Sequence, residues 1–311
     1  MRTLLKERRP CALCILSFVI IATGIVSGSK AVPEGHCCPE PPSSQTSLCM
    51  SEGNGVIKLH FLNVGDAEAI LIQQENAVML IDAGNEKDST VVKQYLKRQE
   101  IGKIDVLVGT HIHEDHIGSL DDIIRNFDIG KIYMPDFEIS NKYLEDVRTA
   151  ADRKGLSFSE PISGENFKLG GATCTILAPI SRGYEKLNDY SIVIKLQFEK
   201  TSFLLTGDAE STSEREMMRR GYDLSADVLK LGHHGSISST GREFLERVNP
   251  KYAVLCTDKE NKYKHPHLST MKKLKARNIK VYRTDEAGTI VVTSDGEKIS
   301  FNVPHGSYNG K

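Results

Sequence analysis

The chain has 311 residues, which is enough for one large domain or two small ones and for a substantial buried core. Its formal net charge is −1, so the molecule as a whole has no strong attraction for polyanions. No internal repeat is visible.

The first 31 residues have the pattern of a sorting segment. Basic residues precede an apolar run over residues 11–26, and small residues follow it. This order predicts an export signal at residues 1–31. The apolar run is at the short end for a membrane span, so an uncleaved anchor stays an alternative. We therefore expect a secreted or extracytoplasmic protein.

Residues 32–54 are rich in Pro, Ser, Glu and Gly, a composition typical of a flexible linker. The segment contains Cys37, Cys38 and Cys49, which are able to form disulfides in an exported protein, although the sequence does not fix their pairing. Cys174 and Cys256 lie in strand-like runs and are expected to be buried as small apolar side chains.

The next elements are predicted from the period of their apolar residues. Apolar and polar residues alternate over 56–64, and strand-like runs follow over 68–73 and 77–81, which together predict an antiparallel meander. Helical spacing predicts a helix over 88–99. A short apolar run then predicts a buried strand over 104–108.

The segment after this strand is the most informative part of the chain. It reads GTHIHEDHIGS over 109–119 and places His111, His113, Asp115 and His116 within six residues. Three of the ten histidines in one hexapeptide are a strong departure from chance. Imidazole and carboxylate groups are the ligands that Zn²⁺ and similar divalent ions prefer. The loop is therefore predicted to bind metal.

The spacing within this segment indicates two groups of ligands. His111 and His113 are two residues apart, so in an extended chain both side chains point toward one metal ion. Asp115 and His116 follow at a point where a bend directs them toward a second ion.

Strands and helices alternate through the middle of the chain. Helices are predicted over 118–127 and 141–154, with a strand over 131–134 between them. A second strand series is predicted over 167–177, 190–197 and 202–206. The last of these runs ends at Gly207-Asp208, where the glycine allows a sharp turn that exposes the carboxylate. Taken alone, such an aspartate is an ordinary turn residue.

A charged helix over 210–220 and a buried strand over 227–231 come next, and the strand is capped by His233-His234-Gly235-Ser236. Neighbouring side chains on a strand diverge, so one imidazole is able to bind metal while the other meets substrate or backbone. The sequence leaves open which of the two does which. Gly235 and Ser236 offer backbone N–H groups and a hydroxyl to an anionic substrate.

The remaining elements are a helix over 241–248, a strand over 252–256, a helix over 269–277, and strands over 280–282, 289–293 and 298–301. Meanders separated by helices indicate two sheets packed face to face with helices outside. From residue 251 to 283 there are ten Lys and Arg against Asp258 and Glu260. This stretch is either a solvated helix face or a rim that contacts phosphate.

The pattern HxHxDH after a strand is the signature of the metallo-β-lactamase superfamily, and the chain is identified by it as a member. Five segments, in the family's order, resemble the soluble C-terminal hydrolase domain of the DNA-uptake protein ComEC and its secreted stand-alone relatives. They are LHFLNVGDAEAILI (59–72), LNDYS (187–191), FLLTGDAE (203–210), ADVLKLGHHGSISST (226–240) and NKYKHPH (261–267). The resemblance defines a hydrolase domain at 55–303 and leaves 304–311 as a tail.

The resemblance implies an α/β fold, the four-layer αβ/βα sandwich, and two divalent metal ions, which are expected to be zinc, with manganese as the alternative. It also implies that Asp208 bridges the two ions. The implied metal ligands are His111, His113, Asp115, His116, Asp208, His233 and His234.

The chain departs from the family pattern at three points. No histidine lies between His116 and Asp208, where many members place another ligand. The ComEC-like branch has an Asn-x-x-Ser segment there, matched by Asn188 and Ser191, which we expect to contact substrate or, through the Asn188 carbonyl, a metal ion. An oxygen-richer shell favours Mn²⁺, whereas His113 in place of the branch's usual aspartate favours zinc. Glu68 replaces the carboxylate that supports the metal loop.

Three further side chains are expected to act in catalysis beside Asp115. The resemblance places His265 at the mouth of the active site. Lys230, on the strand before the histidine doublet, is expected either to face a substrate phosphate or to point into solvent. Ser236, with the doublet, is expected to stabilise the charge that develops during the reaction.

The sequence therefore predicts an exported dinuclear metal-dependent hydrolase, a phosphodiesterase or nuclease whose nucleophile is a hydroxide that bridges the metal ions. The substrate is a phosphodiester or another small anion, with nucleic acid among the candidates, and no stable protein partner is predicted. A lactonase or β-lactamase type of carbonyl-ester hydrolase is the alternative enzyme. A non-catalytic, metal-stabilised surface binding module is the third hypothesis.

Overall fold

Alternating apolar residues pair the strands of this chain into two mixed sheets that share one core. The computed structural model describes residues 55–137 and 139–311. The predicted export segment, the linker and the three cysteines Cys37, Cys38 and Cys49 lie outside the described residues. The strands are β1 (Ile57–Phe61), β2 (Ile70–Gln74), β3 (Ala77–Ile81), β4 (Lys103–Val108), β5 (Asp128–Tyr133), β6 (Phe158–Ser159), β7 (Asn166–Leu169), β8 (Ala172–Ala178), β9 (Val193–Phe198), β10 (Thr201–Leu205), β11 (Val228–Lys230), β12 (Tyr252–Leu255), β13 (Lys280–Arg283), β14 (Ile290–Ser294) and β15 (Ile299–Phe301).

The helices lie between the strands. They are α1 (Ser89–Arg98), α2 (Glu114–Ile117), α3 (Leu120–Asn126), α4 (Lys142–Arg153), α5 (Ser211–Arg220), α6 (Arg242–Val248), α7 (Leu268–Ala276) and α8 (Thr284–Ala287). Short 3₁₀ turns occur at Glu86–Asp88, Leu187–Tyr190 and Gly232–Gly235.

Each sheet is antiparallel in one half and parallel in the other. The first sheet has eight strands in the order β15-β14-β1-β2-β3-β4-β5-β6, and the steps from β3 to β6 are parallel. The second has seven strands in the order β13-β12-β11-β10-β9-β8-β7, and the steps from β10 to β13 are parallel.

Three apolar clusters lie between the four layers of the described residues. The central cluster packs side chains of the first sheet, such as Phe61 and Met79, against side chains of the second, such as Phe198 and Phe203. A second cluster joins the outer face of the first sheet to α1, α3 and α4, and a third joins the outer face of the second sheet to α5, α6 and α7. The four-layer αβ/βα sandwich is therefore confirmed.

The parallel halves of the two sheets position the candidate site. The predicted metal ligands lie in the segments that follow β4 in the first sheet and β10 and β11 in the second. Carboxyl ends of parallel strands are where α/β sheets bind ligands.

Most predicted elements match the structure to within a few residues, and Ala77–Ile81 matches without a shift. The run predicted as one strand over 167–177 is instead a hairpin of β7 and β8. Gly170 turns the chain there with a φ of +57°, a value that few other residues adopt. The predicted strand start at 68 moves to Ile70, because the backbone N–H of Glu68 bonds to Asp115 O.

Residues 304–311, predicted as a tail, contact the second sheet and α7. The N–H of Gly306 bonds to Val281 O at 2.7 Å, and the Arg283 guanidinium donates to Asn309 O at 2.5 Å. Cys174 and Cys256 are buried and unpaired, as expected. Within 55–137 and 139–311, none of the helices combines the length and the apolar character needed to cross a membrane.

Candidate metal centre

Four of the predicted ligands meet at the edge where the parallel strands end. Asp115, His116, Asp208 and His234 each offer one ligand atom, and these atoms all lie within 4.8 Å of one another. Nε2 of His234 is 3.3 Å from Asp115 Oδ2, and Nε2 of His116 is 3.4 Å from Asp208 Oδ1. Ligands of a tetrahedral zinc ion at about 2.0–2.1 Å lie roughly 3.4 Å apart. The spacing therefore fits one divalent ion.

A buried carboxylate fixes the orientation of His116. Asp82, which directly follows β3, accepts a hydrogen bond from His116 Nδ1 at 2.6 Å, and it also accepts from the N–H and the hydroxyl of Thr110. A proton on Nδ1 leaves the lone pair of Nε2 free to face the cluster.

The histidine doublet lies in an unusual turn rather than on a strand. His233 and His234 have φ values of +46° and +50°, which are costly for residues with a side chain. His234 Nδ1 donates to Cys256 O at 2.9 Å, so its Nε2 faces the cluster. The next residue, Gly235, packs against Pro266 so closely that a Cβ would lie 2.8 Å from the proline Cβ. Of the two histidines, His234 is the member of the cluster.

Asp208 lies between two groups of histidines. Gly207 has a φ of +50° and turns the chain after β10, and the backbone N–H of Asp208 donates to Ser191 Oγ at 3.0 Å. Oδ1 of Asp208 faces His116 and His234, whereas Oδ2 lies 3.8 Å from His233 Nε2. Each oxygen of this carboxylate therefore has its own neighbours.

His111 and His113 form a second nitrogen pair outside the four-member cluster. His111 Nε2 and His113 Nδ1 lie 3.0 Å apart, and the rings of His111 and His116 have centroids 4.2 Å apart. Burial, and next the neighbouring His116, lower the pKa of His111 well below its ordinary value. His111 is therefore neutral near pH 7, which is the form of imidazole that binds metal.

His233 lies at the edge of the site between two polar partners. Its Nδ1 is 3.1 Å from Glu210 Oε1 and 3.2 Å from Asn188 Nδ2, and the Asn188 amide also donates to Glu210 Oε1 at 3.1 Å. This arrangement leaves the carbonyl oxygen of Asn188 without a partner although it is buried. Asn188, which lines the cleft, is thus available to a ligand there.

Buried atoms without partners show that the cluster is suited to a cation. Within the described residues, Nε2 of His116, Oδ1 of Asp208 and Nε2 of His234 are all buried and lack a hydrogen-bond partner. Buried polar atoms without partners are rare in folded proteins, because each costs about 1–3 kcal/mol. Nitrogen and carboxylate donors that converge in this way are the donor set of zinc and related ions.

The electrostatics of the cluster also favour positive charge. Burial lowers the pKa of His116, but Asp208, Asp82 and Asp115 outweigh burial and hold that pKa well above its ordinary value. Asp208 and then Asp115 likewise outweigh burial at His234 and raise its pKa to about 9. The negative potential that favours a proton here also favours a divalent cation.

The cluster opens into a cleft of about 620 Å³. Asp115, Asp208 and His234 line it together with two exposed lysines, Lys87 and Lys262, and with the acidic side chains of Asp66, Glu114, Asp258 and Glu260. Side chains of both charges therefore border the cluster.

Several residues expected to contact substrate lie elsewhere. Lys230 is fully buried and ion-paired with Glu68, and it donates to Leu231 O at 2.9 Å, so it faces neither a substrate nor solvent. Ser191 is fully buried and contacts the site through Asp208 and His111. The Ser236 hydroxyl pairs with Ser238 Oγ at 2.9 Å and does not line the cleft. None of these three side chains lines the cleft.

His265 lies beside the doublet and is buried. Its ring centroid is 5.2 Å from that of His233 and 6.3 Å from that of His234. Its buried Nδ1 has no partner, and burial with the two neighbouring histidines lowers its pKa to about 4. His265 is therefore neutral near pH 7.

Sequence reasoning missed Asp82 and Glu210, which orient two of the histidines. Asp82 directly follows the strand AVMLI (77–81) and has a left-handed conformation with a φ of +56°. A polar residue directly after a buried strand was the available signal. Glu210 lies within the quoted segment FLLTGDAE, but only its contact with His233 shows its role.

Known proteins are similar to this chain in sequence and in fold. The model of the metallo-beta-lactamase superfamily matches residues 62–258. ComE operon protein 3 of Bacillus subtilis is 30% identical over 275 residues, which cover 83% of this chain and 35% of that protein. Competence protein ComA of Neisseria gonorrhoeae is 28% identical over 232 residues, which cover 73% of this chain and 31% of that protein. The chain thus spans about a third of the length of these relatives.

Among solved structures, the metallo-beta-lactamase fold protein YhfI from Bacillus subtilis has a TM-score of 0.55 at 13% sequence identity, and the match covers 77% of this chain and 100% of that one. This likeness concerns the fold alone. Together with the family match over residues 62–258 and the convergence of the motif residues, it identifies the chain as a member of the metallo-β-lactamase superfamily, with ComEC-like relatives.

Proposed function

We propose that the chain is a dinuclear metal-dependent phosphodiesterase or nuclease. The observation that carries the proposal is the carboxylate of Asp208, whose Oδ1 faces His116 and His234 while Oδ2 faces His233. A carboxylate with different histidines at its two oxygens is suited to two cations. Asp115, His116, Oδ1 of Asp208 and His234 would hold one ion, and Oδ2 of Asp208 with His233, His111 and His113 would hold the second.

Two divalent ions in these positions would supply an activated water near neutral pH and a counter-charge for the phosphoryl oxygens. The residues of the chain provide orientation. Asp82 holds the Nε2 lone pair of His116 toward the cluster, and Glu210 holds His233 at the edge of the cleft. The free carbonyl oxygen of Asn188 is available to orient a water or the substrate.

A phosphodiester fits the cleft better than a neutral ester does. Lys87 and Lys262 line the cleft, and Lys262 is part of the basic stretch between residues 251 and 283. The acidic side chains of the lining attract divalent cations, and the two ammonium groups are available to pair with a phosphate beside those cations. The segment HHGS and the absence of a histidine between His116 and Asp208 also resemble the ComEC-like branch. Nucleic acid is therefore included in the proposed substrate class.

Metal-free and metal-loaded protein test this proposal directly. Protein treated with a chelator and then dialysed should lose hydrolysis of bis-p-nitrophenyl phosphate, and added Zn²⁺ or Mn²⁺ should restore it. Turnover that is undiminished after complete metal removal would rule the proposal out.

A substrate panel separates the proposed function from the other two hypotheses. Preferential cleavage of nitrocefin or a homoserine lactone would favour a carbonyl-ester hydrolase. Asp115→Asn and His116→Ala should abolish turnover of the phosphodiester. If both variants changed only thermal stability, and no substrate in the panel were cleaved, the chain would be a metal-stabilised binding module instead.

Export and metal identity belong to the same proposal. The basic and apolar pattern of residues 1–31 supports a secreted or extracytoplasmic location, with an uncleaved anchor as the alternative. Five histidines beside two aspartates support zinc over manganese. Mass spectrometry of the secreted chain and its metal content would test both points; an intact amino terminus in the cytosolic fraction would contradict export.

A further inference from the structure

The loop between β12 and α7 forms one lip of the cleft. Asn261 closes this loop, because its side chain donates to His265 O at 2.6 Å and accepts from the N–H of His265 at 2.7 Å. Lys262 and Tyr263 lie within the closed turn, and both line the cleft that contains the metal cluster. The turn therefore holds these two side chains beside the site.

Tyr263 is unusual in its exposure. The residue is 58% exposed, and no other Tyr or Phe in the described part of the chain is comparably exposed. One side of its ring stacks on His265, with ring centroids 5.8 Å apart and planes inclined by 25°. His265 packs in turn against His233. A buried imidazole therefore supports an exposed aromatic ring, whose other neighbour is the flexible side chain of Lys262.

We propose that Tyr263 is a specificity-determining residue that stacks on a planar ring carried by the substrate next to its scissile phosphate. The proposal rests on the phosphodiesterase function proposed above. Its ligand class is a phosphodiester with a nucleoside on the retained side. Stacking on an aromatic side chain does not depend on the identity of the base, because every base has a π-face.

The position of Lys262 disfavours a positively charged substituent stacked on the Tyr263 ring. Its ammonium lies 4.8 Å from the centroid of the Tyr263 ring. A quaternary ammonium, as in choline, also binds aromatic faces, but the lysine already supplies a positive charge there and repels a second one. The same ammonium is favourable for a phosphate. A neutral ring attached to an anionic phosphate therefore fits both side chains.

Three substrates with the same leaving group test the proposal. They are thymidine 5′-p-nitrophenyl phosphate, p-nitrophenyl phosphorylcholine and methyl p-nitrophenyl phosphate. The protein should prefer the thymidine ester over the other two. Tyr263→Leu should lower the ratio of kcat/KM for the thymidine ester over the methyl ester by about tenfold, as expected for the loss of one base stack.

Two matched variants separate stacking from a general disturbance of the loop. Tyr263→Phe keeps the ring and should keep the ratio. Lys262→Gln removes the charge and keeps the ring, so it should slow all the anionic esters while leaving the ratio within about twofold of the unmodified protein. If Tyr263→Leu also leaves the ratio within twofold, or if the choline ester is preferred, the stacking role is overturned.

A binding measurement distinguishes failure of this role from failure of the proposed function. The fluorescence of 2-aminopurine deoxyriboside 5′-phosphate falls when the base stacks, and it should fall with the unmodified protein and Tyr263→Phe but not with Tyr263→Leu. Turnover of the thymidine and methyl esters without any dependence on Tyr263 would leave the hydrolase and remove the stacking residue. Quenching that depends on Tyr263, without turnover of any ester, would support the stacking residue and contradict the proposed phosphodiesterase function.

Discussion

At the scale of single residues, the site depends on groups that orient the ligands as much as on the ligands themselves. His116 bonds to Asp82, and His234 bonds to a backbone carbonyl, so each presents one nitrogen to the cluster. Partners of this kind fix the tautomer of a ligating histidine and commonly change metal affinity by 10–100-fold. The buried Asp82 carboxylate is therefore a sensitive position.

Replacing Asp82 by asparagine should weaken metal binding. The amide nitrogen of asparagine donates where the carboxylate accepts, so His116 would carry its proton on Nε2, the nitrogen that faces the cluster. We expect the affinity for Zn²⁺ to fall by about 10–100-fold, measured by competition with a chromogenic chelator.

Asp105→Asn is the matched control for this variant. Asp105 lies on β4 and accepts a backbone hydrogen bond from Val78, but it is not among the residues of the cleft. Its substitution should leave zinc affinity unchanged. Equal affinities for Asp82→Asn and the unmodified protein would show that Asp82 does not set the orientation of His116.

The sequence identified the residues of the cluster because their types and order are specific. HxHxDH, Gly207-Asp208 and the doublet are short motifs at strand ends, and their residues meet in the structure. The sequence could not show which histidine of the doublet joins the cluster, because the left-handed backbone of His233 and His234 determines which ring faces it. It also could not predict that Lys230 is buried, since the counter-charge on Glu68 lies more than 150 positions away.

At the scale of elements, a buried ion pair joins the two sheets close to the site. Glu68 precedes β2 in the first sheet, and Lys230 ends β11 in the second; both side chains are fully buried. Burial lowers the pKa of Lys230, but the charge of Glu68 outweighs burial and raises it, so the lysine stays protonated. Removing one partner leaves a buried charge without compensation.

A double-mutant cycle should reveal this coupling. Lys230→Met or Glu68→Gln alone should each lower the free energy of unfolding by about 3–5 kcal/mol, measured by urea denaturation. The double variant should lose less than the sum, with a coupling energy of about 1–3 kcal/mol.

The exposed pair Lys200 and Glu297 serves as the control cycle. The same substitutions there, Lys200→Met and Glu297→Gln, should show no coupling beyond experimental error, because solvent screens exposed charges. Strict additivity for Lys230 and Glu68 would contradict the buried pairing.

The junction of α5 and α6 should make stability depend on pH. Glu214 on α5 accepts hydrogen bonds from the N–H groups of Thr240 and Gly241 at 2.5 and 2.9 Å. Burial raises the pKa of its carboxyl from 4.5 to about 7. The folded chain therefore binds this proton more tightly than the unfolded chain does. The resulting stability is present below pH 4.5 and is lost as the pH rises through about 7.

Glu214→Gln should remove this dependence. Between pH 4.5 and 8, the free energy of unfolding of the unmodified protein should fall by about 3 kcal/mol relative to that of the variant. Glu243→Gln, at an exposed position on α6, should follow the unmodified protein. Parallel pH profiles for the Glu214→Gln variant and the unmodified protein would contradict the raised pKa.

The predicted strands and helices match the structure where one spacing of apolar residues runs through a segment, and they are wrong where a turn interrupts that spacing. The run from 167 to 177 keeps its strand composition across Gly170, so only the turn at that glycine shows that it is two strands. The short helix α2 lies inside the metal loop, where ligand spacing obscures any helical period.

At the scale of the whole molecule, the two sheets contribute equally to the centre. Asp115 and His116 follow β4 in the first sheet, whereas Asp208 and His234 follow β10 and β11 in the second. The sandwich brings these loops together at one edge, where the carboxyl ends of the parallel strands meet. Sequence periodicity predicted two sheet halves, and the family resemblance supplied their four-layer arrangement.

Anomalous diffraction from crystals of the protein grown with Zn²⁺ tests the central claim most directly. We predict two peaks, one on each side of the Asp208 carboxylate: the first among Asp115, His116 and His234, the second beside His111 and His113. A single peak, or no anomalous density at Asp208, in crystals of protein saturated with zinc would contradict the proposed dinuclear centre.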